Sequence, residues 1–242
     1  MMLKRSPSLT EQAKSYIKQR ILNEGFEAGR IPSETDLANE LGVSRTTIRD
    51  ALSRLELEGV IYRKQGAGTF VNEAGLQLKT RLEEIWAYEA MLEAHGYSPS
   101  TRIISIEQQP APAAMAQDLN LPADAPVVTI QKLFLADEQP VILTINHLPV
   151  ELITSPYTRA DFNLPMYQFL PQFCQQHLAY YLSEIVPLNA SAELAEILYI
   201  QPHKALLCFD EIGYNQDNLP ILKAYSYFRD DLLRLRLIRR ET

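Results

Sequence analysis

Two cysteines, one tryptophan and four histidines in 242 residues leave little room for several kinds of chemistry. Cys174 and Cys208 stand in apolar surroundings without C-x-x-C spacing, so they read as reduced, packed thiols. His95, His147, His177 and His203 are scattered, and no pair has the spacing of zinc ligands, so no metal and no cofactor is expected. No apolar run is long enough to span a bilayer. The basic pair in "MMLKRSPSLTEQ" has no apolar core behind it, which argues against a signal peptide and for a cytoplasmic protein without a membrane partner. A convergent acid–base pair is missing too: Asp210 and Glu211 are neighbours on a strand-like stretch and point to opposite faces. These absences turn the reading away from an enzyme.

Positive charge is also in deficit, with 23 Lys and Arg against 30 Asp and Glu and a net charge of −7. The deficit is uneven. Residues 1–71 hold 11 cationic against 9 anionic side chains, whereas the remainder holds 12 against 21. Any affinity for phosphate is therefore local to a weakly basic N-terminal segment on an acidic body. Hydrophobic residues make up 46% of the chain, enough for a buried core in one large or two modest domains.

The N-terminal segment has helical periodicity. Ala13, Tyr16, Ile17, Arg20 and Ile21 recur at helical spacing from about Leu9 to Asn23, and Gly25 stops the run. A short second helix follows, with Ser33 as its N-cap, Glu34 and Asp36 at its positive end, and Leu37, Ala38 and Leu41 as its apolar stripe. Gly42 ends it. Ser44 caps a third helix with Ile48, Ala51, Leu52 and Leu55 on the inner face, closed by Gly59. Two helices joined at a tight Gly-Val junction make a helix-turn-helix, and the strands "VIYR" and "TFV" around "KQGAG" add a wing. Residues 1–71 thus read as one domain and 72–80 as a linker.

From Arg81 to Ala94 the helical pattern returns, with Leu82, Ile85, Tyr88, Met91 and Leu92 on one side. Residues 81–242 then mix strands and helices. "VVTIQKLFL" and "VILTINHL" flank the hairpin signal "ADEQP", and "ALLCFDEIGY" and "PILKAYSYF" form a second β pair. "MYQFLPQFCQQHL" is helical in part, interrupted or started by Pro171. Each hairpin follows a helix and a Pro-containing turn, which points to an internal duplication. The fold class is α+β: a winged helix-turn-helix followed by a domain of two related halves on a mainly antiparallel sheet.

The start of the third helix carries the chemistry. A helix N-terminus offers unpaired N–H groups and partial positive charge to phosphate. Arg45 and Arg49 lie one turn apart on a polar face, and Thr46 and Thr47 leave the same end. In a helix-turn-helix this end enters the major groove, where Arg pairs bidentately with guanine and Thr meets a thymine methyl or a phosphate. In the wing, Gly66 and Gly68 allow close backbone approach to a sugar-phosphate strand, and Arg63, Lys64 and Gln65 reach phosphate or minor groove. The expected partner is double-stranded DNA.

"PSETDLANELGVSRTTIRDALSRLELEGVIYRKQGAGTFV" resembles the winged-helix signature of GntR-type bacterial transcription regulators. Gly96, "LNLPADAPVVTIQKLFLADEQPV", "HLP", "AELAEILYI" and "YSYFRDD" resemble the UTRA domain of the HutC subfamily, a chorismate-lyase-like architecture. The resemblance places DNA contacts on Ser33, Ser44, Arg45, Thr46, Thr47, Arg49, Lys64, Gln65, Gly66 and Gly68. Thr35 and Ala67 stand where many relatives carry a cation, which implies a shallower salt dependence. In sugar-responsive UTRA domains an Arg-x-Arg pair faces the ligand; here those positions are Lys132 and Phe134. Thr144, Leu164, Leu222 and Phe228 take the places of other polar contacts, and Tyr88 is expected to line the same cavity. These changes imply a pocket unable to offset the desolvation of a phosphate dianion, suited instead to a mostly apolar effector with at most one acidic group, met by Lys132.

The resemblance implies a homodimeric repressor, released from a palindromic operator by its effector. Two alternatives are a C-terminal domain that serves only dimerisation, which would show a filled core, and a chorismate-lyase-like enzyme.

Overall fold

The computed structural model describes residues 7–76, 82 and 84–235 and divides them into two compact units, one within 7–76 and the other spanning Leu82–Leu235. In the first unit, α1 (Leu9–Asn23), α2 (Glu34–Leu41) and α3 (Arg45–Leu57) pack around Ile17, Leu37, Ile48, Leu52 and Leu55, all nearly free of solvent. The caps account for the boundaries. Ser33 and Asp36 form a reciprocal capping box at the start of α2, Gly42 closes that helix at φ 64°, and the Ser44 hydroxyl accepts from the Thr47 N–H at 3.0 Å. Strands β2 (Ile61–Lys64) and β3 (Gly68–Val71) form the wing. A third strand, β1 (Arg30–Ile31), pairs with β3 and is too short to leave a periodic trace in the sequence.

The segment expected to be a linker begins with structure. Residues Glu73–Leu76 form a helical turn, α4, and Leu76 packs on the core of the first unit. A Cβ at Gly75 would stand 1.8 Å from the Gly59 carbonyl oxygen, so two backbones meet there where only glycine fits. Residues 77–80 of that segment, and Arg81, lie outside the described residues.

The second unit is built on a six-stranded antiparallel sheet in the order β4-β5-β6-β9-β8-β7. Its strands are β4 (Pro99–Pro110), β5 (Pro126–Ala136), β6 (Gln139–Pro149), β7 (Leu178–Asn189), β8 (Ala205–Asn215) and β9 (Pro220–Arg229). Helix α6 (Ala113–Asp118) connects β4 to β5, and α8 (Ala192–Leu198) connects β7 to β8. Each half is thus strand, helix, hairpin, and the halves join antiparallel through β6 and β9. This is the duplication that the two helix-plus-hairpin segments suggested. The first hairpin turns at Asp137 and Glu138, both at positive φ, as a two-residue turn matched to strand twist requires.

The edge strands β4 and β7 were not resolved as separate elements in the sequence. Both are more exposed than the inner strands, and β7 contains Pro187, which an edge tolerates. The helix expected over 81–94 is confined to α5 (Tyr88–Ala94). Ile85, expected on the apolar stripe, is exposed, whereas Leu82 and Trp86 pack on an aromatic cluster. The "MYQFLPQFC" stretch holds one α-turn, α7 (Met166–Phe169), continued by a π-turn over Leu170–Cys174. Pro171 stands at the first turn of that segment, where its missing N–H costs little.

Candidate functional site

Two regions carry chemistry, one in each unit. In the first, α3 buries Ile48, Ala51, Leu52 and Leu55 and leaves its N-terminal end in solvent, with Arg45, Thr46 and Arg49 exposed. Its first turn holds no acidic residue. The Ser44 hydroxyl is engaged by the Thr47 N–H and lies 2.8 Å from the Thr47 hydroxyl, so these two residues shape the helix start. Ser33 does the same for α2, its hydroxyl 2.6 Å from Asp36 Oδ2. Arg49 is tethered: its Nη2 and Nε donate to Glu34 Oε2 at 3.1 and 3.2 Å.

Most other cations of this unit are matched by carboxylates. Lys14 and Lys18 pair with Glu58, Arg54 with Glu11, Arg20 with Glu40 and Arg63 with Glu56. Arg45 and Lys64 make no ion pair among the described residues, and neither does Arg30. The unpaired charge therefore gathers at the start of α3 and in and beside the wing. At the wing tip the Ala67 N–H donates to the Lys64 carbonyl at 3.0 Å across Gln65 and Gly66, and Gly66 takes φ 74°. Gly68 takes φ 118°, and a Cβ there would come 3.3 Å from Arg30 Nε. Arg30 was missed in the sequence because nothing in it announces β1.

The second region is a cavity of about 380 Å³ on one face of the six-stranded sheet. Alternating residues divide that face into three bands along the strands. At one end Val128, Ile130, Leu148 and Leu222 join Phe162, Phe169 and Phe173 in an apolar core. At the other, Phe134, Ile142, Phe209 and Phe228 form a second core with Met91 and Leu92. Between them the same four strands turn polar, presenting Lys132, Thr144, Asn146, Ser226 and Glu211 to the cavity. Helix α5 and the 84–86 segment wall one side, and α7 with β7 supplies Met166, Tyr167, Tyr181 and Ser183.

Of the residues expected here, Tyr88, Lys132, Phe134 and Thr144 line the cavity. Leu222 does not; it is fully buried in the core with Phe162 and Phe169, and its neighbours Ala224 and Ser226 hold the cavity positions of β9. The Leu164 side chain packs against that core, while its carbonyl accepts from Lys132 Nζ at 3.0 Å. Phe228 stands behind the lining, edge-on to Trp86 and Tyr88. The expectation of a mostly apolar pocket is corrected. It came from reading Leu222 and Phe228 as lining beside Phe134, whereas the lining carries Glu84, Glu89 and Glu211 beside Lys132, with several hydroxyls and Asn146. Period-two patterning marks Glu211, Asn146 and Ser226 as sharing a face with core residues, but not that the band between two cores stays open.

Burial tunes the groups in this band. It pushes the Lys132 ammonium down to about 8, against a raising influence from Glu89. Burial also raises the Glu211 carboxyl above the usual range, opposed by a hydrogen bond from Ser183. The Tyr88 phenol is raised by burial and donates to Ser226 Oγ at 2.9 Å. Asp210 faces the other side of the sheet and pairs with Lys223 at 2.6 Å, so it cannot act with Glu211 as an acid–base pair.

Comparison with known proteins fits both regions. The profile of the gntR family of bacterial regulatory proteins matches residues 9–71, and that of the UTRA domain matches residues 94–234. The chain belongs to the UTRA-domain family and carries a gntR-type DNA-binding domain at its N-terminal end. It is 28% identical over 223 residues to the HTH-type transcriptional repressor NagR of Bacillus subtilis, covering 92% of this chain and 89% of that one. It is 25% identical over 224 residues to the HTH-type transcriptional regulator GgaR of Escherichia coli, covering 92% and 86%. The fold matches that of the possible transcriptional regulator YydK from Bacillus subtilis, with a TM-score of 0.77 at 15% identity over 99% of this chain and 100% of that one. This protein is a transcription regulator with a helix-turn-helix DNA-binding domain and a UTRA effector domain. Among the described residues no helix is long and apolar enough to cross a membrane.

Proposed function

We propose that this regulator is a repressor whose hold on a palindromic operator is released when a small molecule enters the UTRA cavity. The observation that carries the reading is the open polar band of about 380 Å³ between two filled apolar cores. A domain kept only for dimerisation gains nothing from leaving Lys132 and Glu211 around a cavity, because burying a charge without an opposite charge beside it is costly. On the DNA side, Arg45, Thr46 and Arg49 read bases, while Ser44 and Ser33 set the helix ends and Lys64, Gln65, Gly66 and Gly68 bring the wing to the backbone. A homodimer presents two such heads to successive major-groove turns. The effector acts by binding one dimer geometry more tightly than the other.

A thermal-shift screen against matched sets of phosphosugars, amino acids and simple mono-acids tests the effector half. At about 100 times its dissociation constant a true ligand adds roughly 2.7 kcal/mol of stability. A shift with one set supports ligand control. Absence of any shift, in a protein that still binds DNA, would favour the dimerisation-only reading.

A further inference from the structure

The duplicated fold sets opposite charges at matching places. Lys132 is the seventh residue of the 11-residue strand β5, and Glu211 is the seventh residue of the 11-residue strand β8. Thr144 lies opposite Lys132 and Ala224 opposite Glu211, while across the centre Thr144 faces Ser226 and Asn146 faces Ala224. The pairing is symmetric about the Ile145–Tyr225 rung, so Lys132 and Glu211 are equivalent positions on either side of a pseudo-twofold axis through the cavity. Three inter-strand steps separate their strands, roughly 14 Å of backbone.

Neither charge is neutralised by an ion pair among the described residues. Lys132, 3% exposed, has the Leu164 carbonyl as its hydrogen-bond acceptor, and Glu211 accepts from the Ser183 hydroxyl. Glu89 lies on the Lys132 side but accepts from Thr101 Oγ1 at 2.7 Å and forms no bridge to the ammonium. Around the Glu211 end the walls are aromatic: Tyr88 and Tyr181 face the carboxylate, and Phe209 packs edge-on to Trp86 at 5.5 Å. A carboxylate within aromatic walls suits an ammonium, which gains from both the charge and the ring faces. Among the described residues, Glu89 and Glu211 line the cavity with Lys132 as the one cation, which disfavours a polyanion.

We infer that the effector is a zwitterion with its charges at opposite ends, an acid group on Lys132 and an ammonium on Glu211, as in an ω-amino acid. This deepens the proposed function and rests on the cavity being the effector site.

The test uses the full chain and the fluorescence of Trp86, its one tryptophan, which lines the cavity. Titration with 6-aminohexanoate, hexanoate, hexylamine and glucose 6-phosphate should give binding at least tenfold tighter for 6-aminohexanoate than for the other three. Glu211→Gln should remove its advantage over hexanoate, and Lys132→Met its advantage over hexylamine. Equal binding of hexanoate or hexylamine to the wild type would overturn the inference. Binding of glucose 6-phosphate alone would also overturn it while leaving ligand control intact. If none of the four binds, the zwitterion is wrong, and the metabolite screen above judges ligand control separately.

Discussion

Replacing Lys132 with methionine should make the protein more stable. The ammonium is held in a band where burial lowers its pKa from an ordinary value near 10.5 to about 8. That difference corresponds to about 3 kcal/mol of unfavourable free energy in the charged form at neutral pH. Methionine has similar reach and carries no charge, so the substitution removes that cost. It also removes the donor from the Leu164 carbonyl, a loss of about 1–2 kcal/mol for an acceptor left unpaired. The net expectation is a gain of roughly 1–2 kcal/mol, read as a higher urea midpoint followed by Trp86 fluorescence, which reports on the unit that contains it. Because the folded pKa lies below the unfolded one, the unfolded chain holds the extra proton between about pH 8 and 10.5. Wild-type stability relative to the variant should therefore rise across that window as the amine becomes neutral. A variant destabilised by 1 kcal/mol or more at pH 7, or a difference that does not change with pH, would refute the reasoning. The gain should come with weaker binding of any acid-bearing ligand, since a charge held unpaired for function is a stability cost.

Three other outcomes follow from the same structure. Arg45→Ala should weaken DNA binding at every salt concentration or reduce the salt slope by about one, according to whether Arg45 meets a base or a phosphate, with the melting temperature unchanged because the side chain is exposed and unpaired. Gly75→Ala should destabilise the N-terminal unit by more than about 1 kcal/mol in thermal unfolding, since the new methyl group meets the Gly59 carbonyl; a neutral result would show that α4 does not dock there. Burial pushes the Cys174 and Cys208 thiols up to about 11, so both should resist thiol reagents at pH 8 in the native protein and react fully in denaturant.

The N-terminal unit was legible because its signals are local. Ser33, Ser44 and Gly42 act within one helical turn, and the apolar stripe of α3 is complete in 13 residues. Arg30 escaped because β1 is two residues long and gains meaning only beside β3. In the second unit the hairpins, the duplication and part of the cavity lining could be read, but the polar character of the cavity could not. Leu222 and Ser226 lie on the same face of β9, and no local feature says that the first fills a core while the second borders open space. The same limit hid Glu211, which in sequence is one half of an acidic pair and in the fold is the counterpart of Lys132. The non-helical 84–87 segment was missed for a related reason: Trp86 is placed by Phe209 and Phe228, both more than a hundred residues away.

The most direct test of the account is the coupling between the two sites. DNA selected from a random pool by the full-length protein would be labelled and its affinity measured by fluorescence anisotropy. The measurement would be repeated with a saturating amount of a compound that Trp86 fluorescence shows to occupy the cavity. Ligand control predicts weaker DNA binding in the presence of that compound, by fivefold or more, and an equal weakening of the compound's affinity by DNA. Unchanged DNA affinity with the cavity filled would contradict it.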